Sequence, residues 1–339
     1  MGKLRFLALT TVLAFILFGC GVGGGPSVSG GVRTVVDQAG RSVEVKYPAE
    51  RIISGYYISS SACIALGIAD KMVGIEARAN TRPIYALAAP GLLELPNVGS
   101  ASEFNLEACV ALEPDLVILP RRLSGSADIL SEMGISVILV NPEGYAELTE
   151  MITLIGDLTG AADRAARLVE YFENTRADIS ALTSGLTERP SVYMCGVGSY
   201  LTTAAKDMHQ AAMINMSGGR NAAESIEGSG WTEISYEQLL AMNPDVMIIP
   251  SEAGYGRDDI LGDSQLASLA AVRNDMVYKM PGGLEAWDSP VPSCILGTQW
   301  LLGVLHGDLY SPETLQKDAA DFYNEFYGFQ IDAIPLIVK

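Results

Sequence analysis

Residues 104–120 read FNLEACVALEPDLVILP, and residues 234–250 read ISYEQLLAMNPDVMIIP. At a constant offset of 130 they share Glu107/Glu237, Ala111/Ala241, Pro114/Pro244, Asp115/Asp245, Ile118/Ile248 and Pro120/Pro250, and most other pairs are apolar in both copies. Each copy runs through the same signals: a capped helix, a Pro-Asp turn, a continuous apolar strand and a proline that ends it. A repeat of this length is too long for a solenoid unit and indicates two related lobes.

Outward from the repeats, short strands alternate with helices, which predicts an α/β fold with parallel-type sheets. Strands are expected over 51–54, 72–75, 116–119 and 137–140, and helices over 60–66, 106–112 and 127–133. From 145 to 183 there is no proline, and the glycines are Gly156 and Gly160. Leu148, Met151, Ile152 and Ile155, then Ala165, Leu168, Val169, Phe172 and Ile179, recur at helical spacing. A helix over 145–158, a break near Gly160 and one long helix over 161–182 follow. The strand over 191–196 restarts the alternation. The expected organisation is an N-terminal lobe over 32–143, bridging helices over 144–184 and a C-terminal lobe with terminal helices over 185–339.

The N-terminus carries Lys3 and Arg5, then an uncharged apolar stretch over 6–18. That stretch is shorter than the roughly 20 residues that span a bilayer, so it reads as a secretory signal over 1–19. It ends in Leu17-Phe18-Gly19-Cys20, which resembles a bacterial lipoprotein cleavage box: Gly19 is the small residue before the cut, and Cys20 supplies the thiol for a lipid anchor. Residues 20–31 then form a glycine-rich flexible tether. Removing Lys3 and Arg5 takes the net charge from −18 to −20. With no basic run, such a chain repels nucleic acid. Cys63, Cys109, Cys195 and Cys294 lack zinc-site spacing and sit among apolar residues, so they read as small buried hydrophobes, with three disulfide pairings left open.

These segments resemble the substrate-binding proteins of ABC importers for ferric siderophores, haem and cobalamin. The resemblance rests on the opening TVVDQAGRSV (34–43) and PAERII (48–53), on NLEACVALEPDLVI (105–118), on LTTAAKD (201–207), GGRN (218–221) and Trp231, and on Trp300, Leu301, Leu302 and the tyrosine-rich tail over 322–329. It implies two α/β lobes joined by one rigid helix, with the ligand held in the cleft between them. It also implies an ABC permease and its ATPase as partners, with one acidic residue of each lobe pairing with permease arginines. Asp128 is the nearest acid in the N-terminal lobe; Glu252, Asp258 and Asp259 are the candidates in the other.

Ligand-binding residues are expected on loops after the carboxyl ends of strands. These are Tyr56 and Tyr57 after the first strand, Arg78, Arg82 and Tyr85 after the second, and Arg121 and Arg122 after the third. In the C-terminal half they are Tyr200, Lys206, Trp231, Tyr255 and Trp287, and Glu285 and Asp288 share the loop GGLEAWDSP (282–290) with Trp287. Aromatics stack on large chelates, and guanidinium forks hold anionic oxygens. His209 and His306, the two histidines of the chain, read as structural. So few imidazoles argue against capture of a bare metal ion. No Walker A, H-E-x-x-H or G-x-S-x-G motif marks an enzyme, and no cofactor is expected. A chelatase-like enzyme is the rival from another class. The expected protein is a monomeric extracytoplasmic lipoprotein that takes a metal chelate, iron–siderophore first, with haem, a corrinoid, molybdate or tungstate as alternatives.

Overall fold

The computed structural model describes residues 31–331; the signal segment, Cys20 and all of the tether but Gly31 lie outside them. Strands are β1 (Gly31–Val36), β2 (Ser42–Tyr47), β3 (Ile52–Ser54), β4 (Met72–Ile75), β5 (Leu116–Pro120), β6 (Val137–Val140), β7 (Ser191–Met194), β8 (Thr202–Ala204), β9 (Arg220–Asn221), β10 (Trp231–Glu233), β11 (Val246–Ile249) and β12 (Val277–Lys279). Helices are α1 (Tyr57–Ala65), α2 (Pro83–Ala88), α3 (Leu106–Ala111), α4 (Ser124–Glu132), α5 (Tyr145–Thr159), α6 (Ala162–Thr183), α7 (His209–Met216), α8 (Tyr236–Met242), α9 (Arg257–Leu261), α10 (Ala270–Arg273), α11 (Cys294–Leu305) and α12 (Pro312–Tyr327).

Two parallel four-stranded sheets carry the lobes, in the orders β4-β3-β5-β6 and β9-β7-β11-β12. Numbered within each lobe, both orders are second, first, third, fourth, so the sequence repeat is a repeat of topology. Every residue of β5 and β11 is buried, as a parallel strand covered on both faces requires. Alternate residues serve different cores. Leu116 and Ile118 face the large core that runs through both lobes, while Val117 and Leu119 face a smaller one confined to the N-terminal lobe.

The repeated motif builds the same local device twice. Asn105 caps α3 by accepting from the backbone N–H of Ala108 at 3.0 Å, and Ser235 caps α8 by accepting from Gln238 at 3.2 Å. The residue before each proline is barred from the right-handed helix. Glu113 and Asn243 answer with φ of 46° and 41°, which stops the helix. The following aspartate then reaches to the first strand of its sheet. Asp115 Oδ2 accepts from the Glu50 N–H at 3.1 Å, and Asp245 Oδ2 accepts from the Ser191 N–H at 2.8 Å. The aspartates' own N–H groups donate to the carbonyls of Arg51 and Ser191, both at 2.8 Å.

Between the sheets, α5 and α6 cross closely, because a Cβ on Gly156 would stand 2.5 Å from that of Ala165. The 22 residues of α6 make a rod of about 33 Å. Its buried stripe is Ala165, Leu168, Phe172, Thr175, Ile179 and Thr183. Arg164 donates to the carbonyl of Ala65 at 2.7 Å and to that of Phe326 at 3.0 Å. One guanidinium thus serves the C-terminal ends of α1 and α12, where the helix dipoles favour a cation. Cys63, Cys109, Cys195 and Cys294 are free and buried. No helix among the described residues is long and apolar enough to cross a membrane.

Replacing Asp115 or Asp245 with alanine leaves a strand-entry N–H without its acceptor. Asp245→Ala should lose about 1–3 kcal/mol in urea denaturation, and Asp115→Ala, whose bond is exposed to solvent, about 0.5–1.5 kcal/mol. A loss below about 0.5 kcal/mol in both would show that the clamp does not hold the sheets.

Candidate functional site

The carboxyl ends of both sheets deliver their loops to the seam between the lobes. After β3 the chain turns at Gly55, where a Cβ would come within 2.7 Å of Leu119 and 2.8 Å of Phe104. That tight passage sets Tyr56 at the N-cap of α1 and Tyr57 as its first residue. The helix therefore begins three residues before the expected 60–66, and the tyrosines stand at its mouth. Their rings meet edge to face at 5.4 Å. The Arg82 guanidinium lies 4.0 Å from the Tyr57 ring centre and that of Arg122 lies 5.4 Å from the Tyr56 ring centre, both within cation–π range. Burial pushes the Tyr57 phenol up to about 12, and the hydroxyl bonds the Ser289 side chain of the other lobe.

Arg82 is the cation of the seam. Its Nε is 3.8 Å from Glu76, and its Nη1 is 3.8 Å from Glu252 of the C-terminal lobe. Glu76 is 4 % exposed and accepts from Ser60 and from the Tyr85 hydroxyl, the latter at 2.8 Å. Glu285, also buried, accepts from Ser61 at 2.5 Å, Ser293 at 2.6 Å and Tyr327 at 2.9 Å. Neighbouring serines on α1 thus serve a carboxyl in each lobe. Burial raises the pKa of both glutamates, and the hydroxyl donors and Arg82 only partly offset it. The seam is closed further by Ile84, whose N–H donates to the Leu284 carbonyl at 3.3 Å.

The remaining expected residues divide by environment. Arg78, Arg121 and Arg122 are exposed, and Arg122 also donates to the Ala101 carbonyl at 3.0 Å. Arg78 holds a left-handed φ of 69° at the turn after β4. Tyr85 and Trp287 are core residues whose polar atoms are engaged inside the core, which corrects the expectation that they line the cleft; Tyr56, at 8 % exposure, borders the same core with its ring under Arg122. Tyr85 is spent holding Glu76, and the Trp287 indole donates to the Tyr323 hydroxyl at 2.9 Å. Tyr200 and Tyr255 meet edge to face at 5.6 Å, with hydroxyls donated to Asp263 and to the Gly196 carbonyl. Trp231 is 40 % exposed on β10, and Lys206 pairs with Glu227. His209 is buried and held neutral, its pKa lowered to about 4 by burial.

Glu76 and the run Ser59-Ser60-Ser61 were not singled out from the sequence. Three consecutive serines inside an otherwise apolar helix are the signal that could have found them, because buried hydroxyls need acceptors.

Residues 52–284 match the periplasmic binding protein family. The chain belongs to that family. It is 27% identical over 269 residues to an ABC transporter substrate-binding lipoprotein, YvrC, of Bacillus subtilis, covering 76% of this chain and 81% of that one. It is 24% identical over 327 residues to the molybdate-binding protein MolA of Haemophilus influenzae, covering 87% and 91%. A periplasmic solute-binding protein from Veillonella parvula superposes with a TM-score of 0.78 at 28% identity, covering 89% of this chain and 94% of that one. This periplasmic binding protein is a non-enzymatic, extracytoplasmic substrate-binding component of an ABC transporter.

The seam also sets a pH dependence. Burial pushes the Asp288 carboxyl up to about 6, and the Glu252 charge adds to the rise. An ordinary aspartate titrates near 4. The group therefore favours the fold fully below pH ~4, and that contribution is lost as pH rises through about 6. About two pH units correspond to about 3 kcal/mol. Asp288→Asn should gain stability relative to wild type between pH 4 and 6 and hold a constant difference above pH ~7. A difference that does not change with pH would remove Asp288 from this role.

Proposed function

We propose that the binding protein is a lipid-anchored receptor that captures a metal-centred solute, a ferric siderophore first, and hands it to its permease. The carrying observation is the edge-to-face Tyr56–Tyr57 pair at the mouth of α1, with the exposed Arg122 guanidinium over the Tyr56 ring. Aromatic edges suit a bulky chelate, and guanidiniums suit its metal-bound anionic oxygens. Arg82 is shared by Glu76 and Glu252, so the attraction for anions falls to Arg78, Arg121 and Arg122. A second reading, molybdate or another small oxyanion, draws on MolA, matched over 91% of its length.

Docking to the permease is assigned to Asp128 and to Asp258 or Asp259, all exposed. Asp128 stands 3.7 Å from Arg41, an exposed-side contact of little energetic weight. Glu252 is exposed too, but it is engaged by Arg82, so docking through it would compete with lobe contact. The anchor is assigned to Cys20, and support for it comes from the lipoprotein name of the Bacillus relative.

A thermal-shift panel of ferric siderophores, haem, cobalamin, molybdate and tungstate tests the ligand. A ferric siderophore at about 100 times its Kd should stabilise the protein by about 2.7 kcal/mol, or roughly 4 °C. A shift with molybdate alone would replace this reading with the second. Alanine at both Arg78 and Arg122 should weaken the responding ligand at least about tenfold, in line with about 1.5–3 kcal/mol for each charged hydrogen bond. Unchanged affinity would take both arginines out of the site. For the anchor, Cys20→Ser should move the protein from the membrane fraction to the soluble one, and retention on the membrane would refute lipidation there.

A further inference from the structure

Ten side-chain polar atoms in the described residues are buried without a hydrogen-bond partner. Three of them lie together at the seam: Gln210 Oε1, Ser251 Oγ and Asp288 Oδ1. Chance scatter does not explain this, because all three residues are tied to one another. Gln210 Nε2 donates to the Asp288 carbonyl at 2.8 Å, and the Asp288 carboxylate accepts from the backbone N–H of Ser251. Gln210 and Asp288 are each at least nine-tenths buried. Ser251 lies against Gly282, where a Cβ would stand 2.0 Å from its own, so that position admits only glycine. Native proteins seldom leave buried polar atoms unmatched, and a cluster of them needs a purpose.

We propose that Gln210, Ser251 and Asp288 form a solute-recognition subsite in the C-terminal lobe that takes a hydrogen-bond-donating group, an ammonium above all. The inference rests on the ferric-chelate reading and adds the second half of the recognition. The chemistry of the three oxygens makes the choice. An amide oxygen and a carboxylate oxygen only accept, and a hydroxyl can accept, so together they match the three N–H donors of an ammonium. An anion there would meet no free donor except the serine hydroxyl. The charges agree, because Glu252 follows Ser251 directly and carries negative charge at the same place. The way in lies beside the Arg82–Glu252 contact, a 3.8 Å side-chain pair next to Ser251 whose glutamate is 59 % exposed. The solute would then be read with two polarities. Its metal-bound oxygens lie toward the exposed arginines of the N-terminal lobe, and its amine lies toward the C-terminal lobe.

The test compares two probes in titration calorimetry: a linear ferric tris-hydroxamate ending in a primary ammonium, and the same chelate with that amine acetylated. Wild type should bind the ammonium form at least about tenfold more tightly. Asp288→Asn and Ser251→Ala should each bring that ratio close to one while leaving the affinity for the acetylated chelate within about twofold. Circular dichroism and the melting temperature confirm that each variant is folded, and a variant that fails to fold is read through the other. Equal binding of both chelates by wild type overturns the subsite while leaving the ferric-chelate reading intact. Binding of neither chelate overturns that reading, and the subsite with it.

Discussion

The Pro-Asp clamp is the constraint on which the architecture depends. In each lobe one carboxylate fastens the start of the third strand to the start of the first, Asp115 to Glu50 and Asp245 to Ser191. The two strands are neighbours in the sheet, so a fixed start fixes the register along their whole length. With three to five residues per strand, the register also fixes where each strand ends. The loops that begin at Gly55, Arg121, Cys195 and Pro250 therefore leave both sheets at set heights. The seam between the lobes is positioned by two clamps placed one repeat apart.

The seam presents an electrostatic problem that hydroxyl donors share with one guanidinium. Arg82 faces Glu76 and Glu252 at contact distance and acts on Glu285 as well. One guanidinium cannot neutralise so many carboxylates in a low-dielectric setting. Desolvation raises the pKa of Glu76 and Glu285, and the serine and tyrosine hydroxyls that donate to them, together with Arg82, oppose that rise by stabilising the carboxylate form. The seam is thus a hydrogen-bonded joint, and the exposed arginines Arg78, Arg121 and Arg122 stand outside it.

What the sequence disclosed and what it withheld divide along a physical line. Caps, turns, prolines and apolar periodicity are local, so β4 and β6 matched their expected spans residue for residue, and α5 and α6 shifted by a single residue at their ends. The site depends on which way a side chain turns, and that is decided by distant partners. Tyr85 and Trp287 sit on loops or short helices of the expected kind, yet Glu76 and Tyr323 draw their polar atoms into the core. Glu76 escaped notice for the converse reason. A lone acid after a strand reads as a solvated residue until Ser60, remote in sequence, is seen donating to it.

The same joint limits how the lobes can move. Separating them at Ser61 would leave Glu285 short of one donor, and an unmatched buried acceptor costs about 1–3 kcal/mol. Arg164 holds the ends of α1 and α12 together, and one apolar core passes through both lobes, so a wide hinge would expose surface along the whole bridge. Beside the buried Ser61–Glu285 bond, the Arg82–Glu252 link is loose, a 3.8 Å contact whose glutamate is 59 % exposed to water. Tyr56 has its charged neighbours, Arg122 and Glu143, within its own lobe and makes no such link. Opening is therefore cheapest at the Glu252 edge, a small parting that leaves the buried joint intact. A receptor built this way holds its solute by matching two nearly fixed walls, and selectivity resides in the groups on those walls more than in closure.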